Sequence, residues 1–246
     1  MHRLLVEYPD LRPGETLVIE GDEAAHALRV KRLGPDDIVE ILNGQGLIAT
    51  ATVVAEPGKR PSRDATLRLR LSVVRRVRPV RPALHVLTAT PKGPRVDEMI
   101  QQLAQVGAAS WAPLSTSRGV VDPRDTKLAR LQRIAGEASK QCGRAWALNL
   151  EPPISFAQAV QPLASTAVVV ADAGGGAASD FDARAFDSVR LLIGPEGGFT
   201  PEELGLARPA GAVVLRLGPH IMRIETAAVV AAGILLACST WNSEPT

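Results

Sequence analysis

The alternation of apolar and polar positions predicts a β-rich part over residues 1–78. Short alternating or β-branched runs are typical of strands, and five of them occur, at residues 4–6, 16–19, 38–42, 47–54 and 65–74. Residues 43–46, with the sequence Asn-Gly-Gln-Gly, predict a hairpin turn between two of these runs. One helix is predicted over residues 24–30, after the acids Asp22 and Glu23. Several short strands joined by tight turns favour a small barrel.

From residue 83 onward, strand and helix patterns alternate. The predicted strands are residues 84–89, 111–114, 167–171, 191–193 and 213–217, and the predicted helices are residues 96–106, 127–141, 156–160, 201–207 and 224–238. This alternation predicts a mostly parallel sheet covered by helices. The Arg- and Pro-rich residues 76–82 are the predicted linker. Residues 172–178, which contain Gly174, Gly175 and Gly176, are predicted to form a flexible loop.

Two apolar runs of the second part end at glycine and lead into a helix. They are residues 191–200, LLIGPEGGFT, and residues 215–227, LRLGPHIMRIETA. Ligands of open α/β sheets bind at the carboxyl ends of strands, so the two strand ends predict one shared pocket. Thr200 and Glu203 have the spacing of a capping box, which accounts for Gly198 and Thr200 but not for the remaining glycines. Walker and Rossmann glycine patterns are absent, which argues against phosphate-loop and dinucleotide sites.

Composition narrows the class of protein. Hydrophobic residues make up 46% of the 246 residues and aromatic residues only 3%, so the core is expected to consist of Ala, Val, Leu and Ile. The two cysteines lack the spacing of a zinc or disulfide framework, which is typical of a reducing cytoplasm. We find no secretory signal, and the apolar run over residues 227–238 is too short to span a bilayer.

Positive charge is concentrated around the end of the first part. Between Lys59 and Arg81 there are nine basic residues and one acid. Such a stripe suits a phosphate backbone. The alternative is a solvated strand face, because Arg68 and Arg70 alternate with leucines.

The glycine motifs carry a resemblance to a known family. IGPEGGFTPEEL followed by LGPHIMRIETA is similar to the paired signatures of the RsmE-type ribosomal RNA methyltransferases of the SPOUT superfamily. Weaker collinear matches extend over nearly the whole chain, and they include His26, Val30, Arg32, Gly34, residues 43–46, Lys92, residues 101–107, residues 116–118, Glu137, Gln141 and Arg144. The chain departs from the family pattern at Gln102, Gln105, His220 and Ile224.

The resemblance implies a fold, a reaction and partners. The fold is a PUA-like β-barrel that binds RNA, residues 1–78, followed by a SPOUT α/β domain, residues 83–246, with a deep trefoil knot. The reaction is methylation of N3 of a uridine in 16S rRNA of the small ribosomal subunit, with S-adenosylmethionine as methyl donor. A cytoplasmic homodimer without a metal ion or a membrane anchor is expected.

The resemblance also assigns roles to individual residues. One wall of the cofactor pocket is expected to contain Ile193, Gly194, Glu196, Gly197 and Gly198, and the other Leu217, Gly218, Ile221, Met222, Ile224, Thr226 and Ala227. The residues expected to contact RNA are Arg32, Arg68, Arg70, Arg75, Arg76, Arg118 and Arg144.

Arg223 and Glu225 are the candidate catalytic residues. Arg223 would stabilise charge that develops on the uracil oxygens, and Glu225 would accept a proton. By position alone, Glu225 is equally an acid at a helix N-terminus with Arg223 as its surface partner.

Two other functions are compatible with the sequence. One is a non-catalytic RNA-binding or ribosome-assembly factor with a vestigial pocket, which the departures at Gln102, Gln105 and His220 favour. The other is a SPOUT methyltransferase that modifies a different RNA, because specificity resides in the site rather than in the fold.

Overall fold

Two sheets, one in each of two units, organise the chain. The structure is a computed structural model that describes residues 1–54, 66–122 and 126–237. The first unit comprises Met1–Pro79 and Ser139–Ala147, and the second comprises Val80–Ala138 and the described residues from Leu148 onward. The segment Ser139–Ala147 is an addition to the first unit that the sequence pattern does not predict.

The first unit contains the five strands that the pattern predicts. They are β1 (His2–Leu5), β2 (Thr16–Ile19), β3 (Ile38–Leu42), β4 (Leu47–Val53) and β5 (Leu67–Arg76), with helix α1 (Gly21–Arg29) between β2 and β3. The sheet order is β1-β3-β4-β5-β2. Among these five strands of the described residues, β1 and β3 pair in parallel and the other pairs are antiparallel. Helix α1 packs against β1 and β5 and buries Ala24 and Ala27 in the core of this unit.

The hairpin turn at residues 43–46 is confirmed. The Asn43 side chain accepts hydrogen bonds from the amides of Gln45 and Leu47, at 2.9 and 2.8 Å. Gly46 adopts a left-handed φ of 94°, and a Cβ there would lie 2.5 Å from the indole of Trp146. Trp146 in turn donates to the carbonyl of Val77 at 2.8 Å. Close packing of Trp146 on the turn therefore ties Ser139–Ala147 to this unit.

The second unit contains the predicted parallel sheet. Its strands are β6 (Ala83–Thr88), β7 (Ser110–Ser115), β8 (Asn149–Leu150), β9 (Ile154–Ser155), β10 (Thr166–Ala177), β11 (Ser188–Ile193) and β12 (Val213–Arg216). The order is β12-β10-β11-β6-β7-β8, and β9 pairs with β7. Every one of these pairs is parallel. The remaining helices are α2 (Arg95–Val106), α3 (Leu128–Cys142), α4 (Phe156–Ala159), α5 (Pro201–Ala207) and α6 (Ile224–Leu236).

Alternate residues of the central strands point to opposite faces of this sheet. On one face, Val86 and Leu191 pack with residues of α2, α3 and α6. On the other, Leu87 and Leu192 pack with Phe156 and Phe199, whose ring centroids are 5.0 Å apart. The sheet is therefore covered on both sides, as the long apolar runs predict.

The prediction of a flexible loop at residues 172–178 is wrong. Strand β10 continues through Ala177, and after an irregularity Gly176 and Ala177 pair with Leu215 and Arg216 of β12. A Cβ at Gly175 would lie 2.7 Å from backbone atoms of Leu215 and Val214. Glycine is thus required at position 175 by close approach of two backbones, and a glycine run alone does not distinguish this from a loop.

Candidate functional site

A cavity of about 380 Å³ lies at the carboxyl ends of β10, β11 and β12, beside the start of α6. Of the twelve residues predicted to form a shared pocket, eleven line it; Thr226 does not, and its side chain is exposed. The lining residues that were predicted are Ile193, Gly194, Glu196, Gly197, Gly198, Leu217, Gly218, Ile221, Met222, Ile224 and Ala227. The structure therefore brings the two glycine segments together around one space.

The first wall is the loop that leads from β11 into α5. Gly198 has a left-handed φ of 68°, and its amide donates to the carbonyl of Pro195 at 2.8 Å. The predicted capping box is confirmed, because Thr200 and Glu203 exchange hydrogen bonds at 2.8 and 3.2 Å. Glu203 is buried and also accepts from the Ser117 amide at 2.8 Å. This carboxylate therefore fixes the loop against the segment that follows β7.

The second wall is the loop between β12 and α6. Gly218 lies close to Met222, since a Cβ at position 218 would be 3.0 Å from Met222 Cε. Ile224 is buried in the core beneath the wall, whereas Ile221 is 86% exposed at the mouth of the cavity. The second wall thus has a well-packed base at Ile224 and an exposed apolar rim at Ile221.

The lining also contains residues that the sequence interpretation missed. They are Ala171, Asp172, Ala173, Pro195, Arg216, Pro219 and His220. Asp172 follows the first part of β10, and its carboxylate accepts from the Gly174 amide at 2.9 Å. Because residues 172–178 were predicted to be a flexible loop, Asp172 was not predicted to line the cavity. An acid directly after a buried strand is nevertheless a usual signal for a site at a sheet edge.

The two candidate catalytic residues occupy different environments. Arg223 is the exposed N-cap residue of α6, between Met222 and Ile224 of the cavity wall. Glu225 is 13% exposed, and its partner is Arg95, with Oε1 3.8 Å from Arg95 Nη1. The expectation that Arg223 is the ion-pair partner of Glu225 is therefore corrected. Glu225 Oε2 is buried and has no hydrogen-bond partner among the described residues.

Two arginines predicted to contact RNA are partly engaged within the protein. Arg118 donates to the carbonyl of Gly197 at 2.6 Å, which attaches it to the first wall of the cavity. Arg144 belongs to the first unit. Burial lowers the pKa of Arg144 to about 10, while the nearby Cys142 acts in the opposite direction. Arg144 therefore remains a cation at neutral pH.

The remaining predicted RNA contacts lie in the first unit. Arg68 and Arg70 are exposed on one face of β5, and the leucines that alternate with them are buried on the other. This confirms a half-buried strand with an arginine face. Arg32 and Arg76 are also exposed, and Arg75 Nη2 lies 3.7 Å from Glu40 Oε1. Lys59, Arg60, Arg63 and Asp64 of the basic stripe lie outside the described residues.

A second cavity, of about 720 Å³, lies toward the amino end of the same sheet. Its lining includes His85, Glu151 and Arg190, and none of the predicted site residues. His85 Nδ1 lies 2.7 Å from Ser110 Oγ. Burial lowers the pKa of His85; Glu151 opposes this shift and Arg190 adds to it.

Neither a metal site nor a membrane-spanning helix is found in the parts of the chain that the structure describes. Within residues 1–54, 66–122 and 126–237, no His, Cys, Asp and Glu side chains cluster in a way that could hold a metal ion. None of the helices within these ranges has both the length and the apolar character needed to cross a bilayer.

Both parts of the chain match models of known protein families. The family model for an RNA methyltransferase domain matches residues 79–236, and that for an RNA methyltransferase PUA domain matches residues 19–61. Ribosomal RNA small subunit methyltransferase E of Mycobacterium tuberculosis is 33% identical over 249 residues, which cover 96% of this chain and 93% of the relative. The Bacillus subtilis protein of the same name is 26% identical over 246 residues, 94% of each chain.

Solved structures show the same architecture. A Legionella pneumophila methyltransferase, crystallised with S-adenosylmethionine, superposes with a TM-score of 0.82 at 27% identity, covering 97% of this chain and 98% of that one. Ribosomal RNA small subunit methyltransferase E of Neisseria gonorrhoeae gives 0.85 at 22% identity, over 96% and 97% of the two chains, which establishes likeness of fold. The chain therefore belongs to the RNA methyltransferase family, and within it to the group of ribosomal RNA small subunit methyltransferase E.

Proposed function

We propose that this protein transfers a methyl group from S-adenosylmethionine to N3 of a specific uridine in 16S rRNA of the small ribosomal subunit. The observation that carries the proposal is the glycine-lined cavity at the ends of β10, β11 and β12. Members of the same family are named for methylation of small-subunit rRNA, and the Legionella relative holds S-adenosylmethionine.

The cavity has properties that fit this cofactor. Its volume of about 380 Å³ lies within the range of roughly 300–1,000 Å³ that is usual for small-molecule sites. Apolar side chains and glycine backbone suit a neutral adenine, which hydrogen bonds to backbone groups can specify. The carboxylates of Asp172 and Glu196 are part of the lining, and they match the positive charges of a sulfonium and an amino group.

S-adenosylmethionine supplies an activated methyl group on a sulfonium centre. The protein must provide an exposed uridine, because uracil N3 is hidden in a base pair and carries a proton in the neutral base. Arg223 lies on the exposed loop between two lining residues. From there its guanidinium stabilises negative charge on the uracil oxygens as the N3 proton passes to solvent water and N3 becomes free to accept the methyl group. Both cavity walls lead directly into helices, and a capping box fixes the first of them, which favours catalysis by positioning.

The arginine face of β5 is the proposed RNA contact in the first unit. Arg68 and Arg70 point away from the buried leucines, and the PUA match covers part of the same unit. Replacing both with Ser should weaken RNA binding and reduce the steepness of its salt dependence by about 0.7–0.9 for each phosphate that is no longer neutralised. Filter binding across a salt series measures this slope. An unchanged slope would mean that the arginine face of β5 is ordinary solvent-exposed surface.

The resemblance also supports a trefoil knot and a homodimer. After β11 the chain crosses to β12 on the far side of β10 and then returns to pack α6 against α2 and β6. Such a return is compatible with a knot, in which the chain also passes through one of its own loops. Helix α6 is apolar on most of its surface and leaves Ile234 37% exposed, which suits a second copy of the chain. A cytoplasmic location follows from the proposed substrate.

Mapping N3-methyluridine in rRNA from cells with and without the gene tests the function. We expect one position of 16S rRNA to lose its methyl group when the gene is absent. Incubating the purified protein with radiolabelled S-adenosylmethionine and either naked 16S rRNA or assembled subunits then identifies the substrate. An unchanged map together with tight RNA binding would favour an assembly factor, and methyl transfer to tRNA alone would favour a different RNA target.

A further inference from the structure

Arg95 and Glu225 form an ion pair between the first turns of two helices. Arg95 opens α2 and Glu225 stands in the first turn of α6, with 3.8 Å between Nη1 and Oε1. The side chains are 34% and 13% exposed. An N-terminal carboxylate interacts favourably with the dipole of its own helix, and here it also meets a cation from the neighbouring one.

The pair lies directly behind the second wall of the cavity. Ile224, which precedes Glu225 on α6, and Ala227, two residues after it, both line the cavity. The first turn of α6 closes with a 2.8 Å hydrogen bond from the Ala227 amide to the Arg223 carbonyl. Because of this hydrogen bond, an interaction that fixes Glu225 also fixes the backbone of Arg223 and the cavity wall beside it.

Helix α2 is a firm support for this contact. Met99, Ile100 and Leu103 on α2 are fully buried in the core. Ala228 and Ala231 of α6 are buried in the same cluster, so small side chains let the two helices pack closely. The ion pair extends this packing by one turn, to the point where α6 meets the cavity.

Burial of Glu225 argues against direct contact with a substrate base. Its Oε2 is inaccessible to solvent and unpartnered among the described residues, and Glu225 is not part of the lining. A carboxylate in this position depends on Arg95, its ion-pair partner among the described residues, because a largely buried charge that loses its partner is strongly unfavourable.

We propose that Arg95 and Glu225 are positioning residues which, as a pair, hold the start of α6 in the geometry that binds the cofactor. This inference rests on the proposed function and adds a determinant of cofactor affinity outside the cavity. It selects the structural role for Glu225 over that of proton acceptor.

The pair predicts a non-additive pattern of cofactor affinity. Arg95→Met leaves a buried carboxylate alone and should weaken binding of S-adenosylhomocysteine about tenfold or more, as measured by calorimetry. Glu225→Gln should have a smaller effect, and the double variant should bind more tightly than Arg95→Met, because removal of both charges leaves nothing uncompensated. Equal binding by Arg95→Met and the parent protein, or additive losses in the double variant, would overturn the proposal.

Arg130→Met is the matched control. Arg130 makes a bidentate ion pair with Asp97 of the same helix α2, away from the cavity, so its loss should leave the Kd within about twofold. Arg95→Lys keeps the charge and should also stay close to the parent protein. If Arg95→Met does not fold, the double variant and Arg95→Lys decide: the double variant, which lacks the pair, should bind the cofactor more weakly than Arg95→Lys, and equal binding by the two would contradict the proposal.

Hydrogen exchange tests the role of the ion pair independently of the proposed function. Amides of residues 224–228 should exchange faster in Arg95→Met but not in Arg130→Met, whether or not cofactor is present. A parent protein that binds no cofactor would refute the proposed function while this exchange difference still tests the pair. Conversely, Glu225→Gln with normal cofactor affinity but no methyl transfer would overturn the positioning role in favour of a proton acceptor.

Discussion

Two glycine-rich segments at the same edge of the sheet have different structural roles. Residues 174–176 continue β10 alongside β12, and Gly175 lies so close to β12 that a Cβ would be 2.7 Å from its backbone. Residues 194–198 line a cavity, and a Cβ at Gly198 would meet no atom within 4 Å. At Gly175 glycine admits another strand, and at Gly198 it leaves open space beside the cavity.

The difference shows what a cluster of glycines can establish. A run of glycines indicates that something approaches the backbone closely or that φ is positive. It does not indicate whether the neighbour is protein or ligand. Substitutions can separate these cases, since a side chain that clashes with a neighbouring strand should lower stability, whereas one that enters the cavity should lower cofactor affinity.

The largest effect is expected at Arg223, the cation on the loop beside the cavity. Arg223→Ala should lower the rate of methyl transfer by about 10²–10³-fold, the usual cost of losing one group that stabilises a developing oxyanion. Cofactor Kd and Tm should be unchanged, because the side chain is exposed and makes no cap. Arg208→Ala, on the exposed end of α5, is the control, and full activity in Arg223→Ala would remove this role.

The next effect is on stability, at Gly175. Gly175→Ala should lower the free energy of unfolding by about 1–3 kcal/mol, because the new methyl group clashes with the backbone of β12. Gly176→Ala is the neighbouring control, since no atom lies within 4 Å of its added Cβ, and it should change stability by less than about 0.5 kcal/mol. Urea unfolding measures both. Equal stability of the two variants would mean that residues 172–178 are a loop after all.

A third effect is on cofactor affinity, at Gly218. Gly218→Val places a branched side chain in the cavity and should raise the Kd for S-adenosylmethionine about tenfold, or about 1.4 kcal/mol. Gly218→Ala should have less effect, because its Cβ meets the flexible end of Met222. Calorimetry measures the Kd, and normal binding by the valine variant would contradict a shared pocket.

The smallest effect is conformational, at Gly198. Gly198→Ala should destabilise the protein by about 1 kcal/mol, because φ is 68° and L-residues are strained there. Gly205→Ala, inside α5 with open space around its Cβ, should instead stabilise the protein by about 0.4–1 kcal/mol. Thermal unfolding of the two variants measures both changes in stability. A loss of stability in both variants would contradict the explanation by backbone conformation.

Periodicity predicted most of the fold. Strands such as Thr16–Ile19 and Ile38–Leu42 and helix Pro201–Ala207 lie where their patterns predict, because side-chain alternation and capping act locally. The end of the predicted helix 224–238 at Cys238 lies outside the described residues. Attachment of Ser139–Ala147 to the first unit could not be predicted, since it depends on how Trp146 packs against a turn about a hundred residues earlier.

The candidate site was predictable where its signal lay in one segment of sequence. Gly194, Gly198 and Gly218 follow buried strands, and that pattern alone indicated a shared pocket. Asp172 was missed because its role depends on a strand irregularity opposite β12. The assignment of cofactor and RNA contacts stays a prediction that the proposed experiments test.

The sequence by itself determined most of the strands, the helix starts and the two glycine walls, since each arises from interactions within a few residues. Only the tertiary structure decided which backbones approach each other and which charges meet. It placed Gly175 against β12 and paired Glu225 with Arg95, 130 positions away in sequence, instead of with Arg223 two positions away. The physical reason is that close packing and ion pairing depend on separation in space.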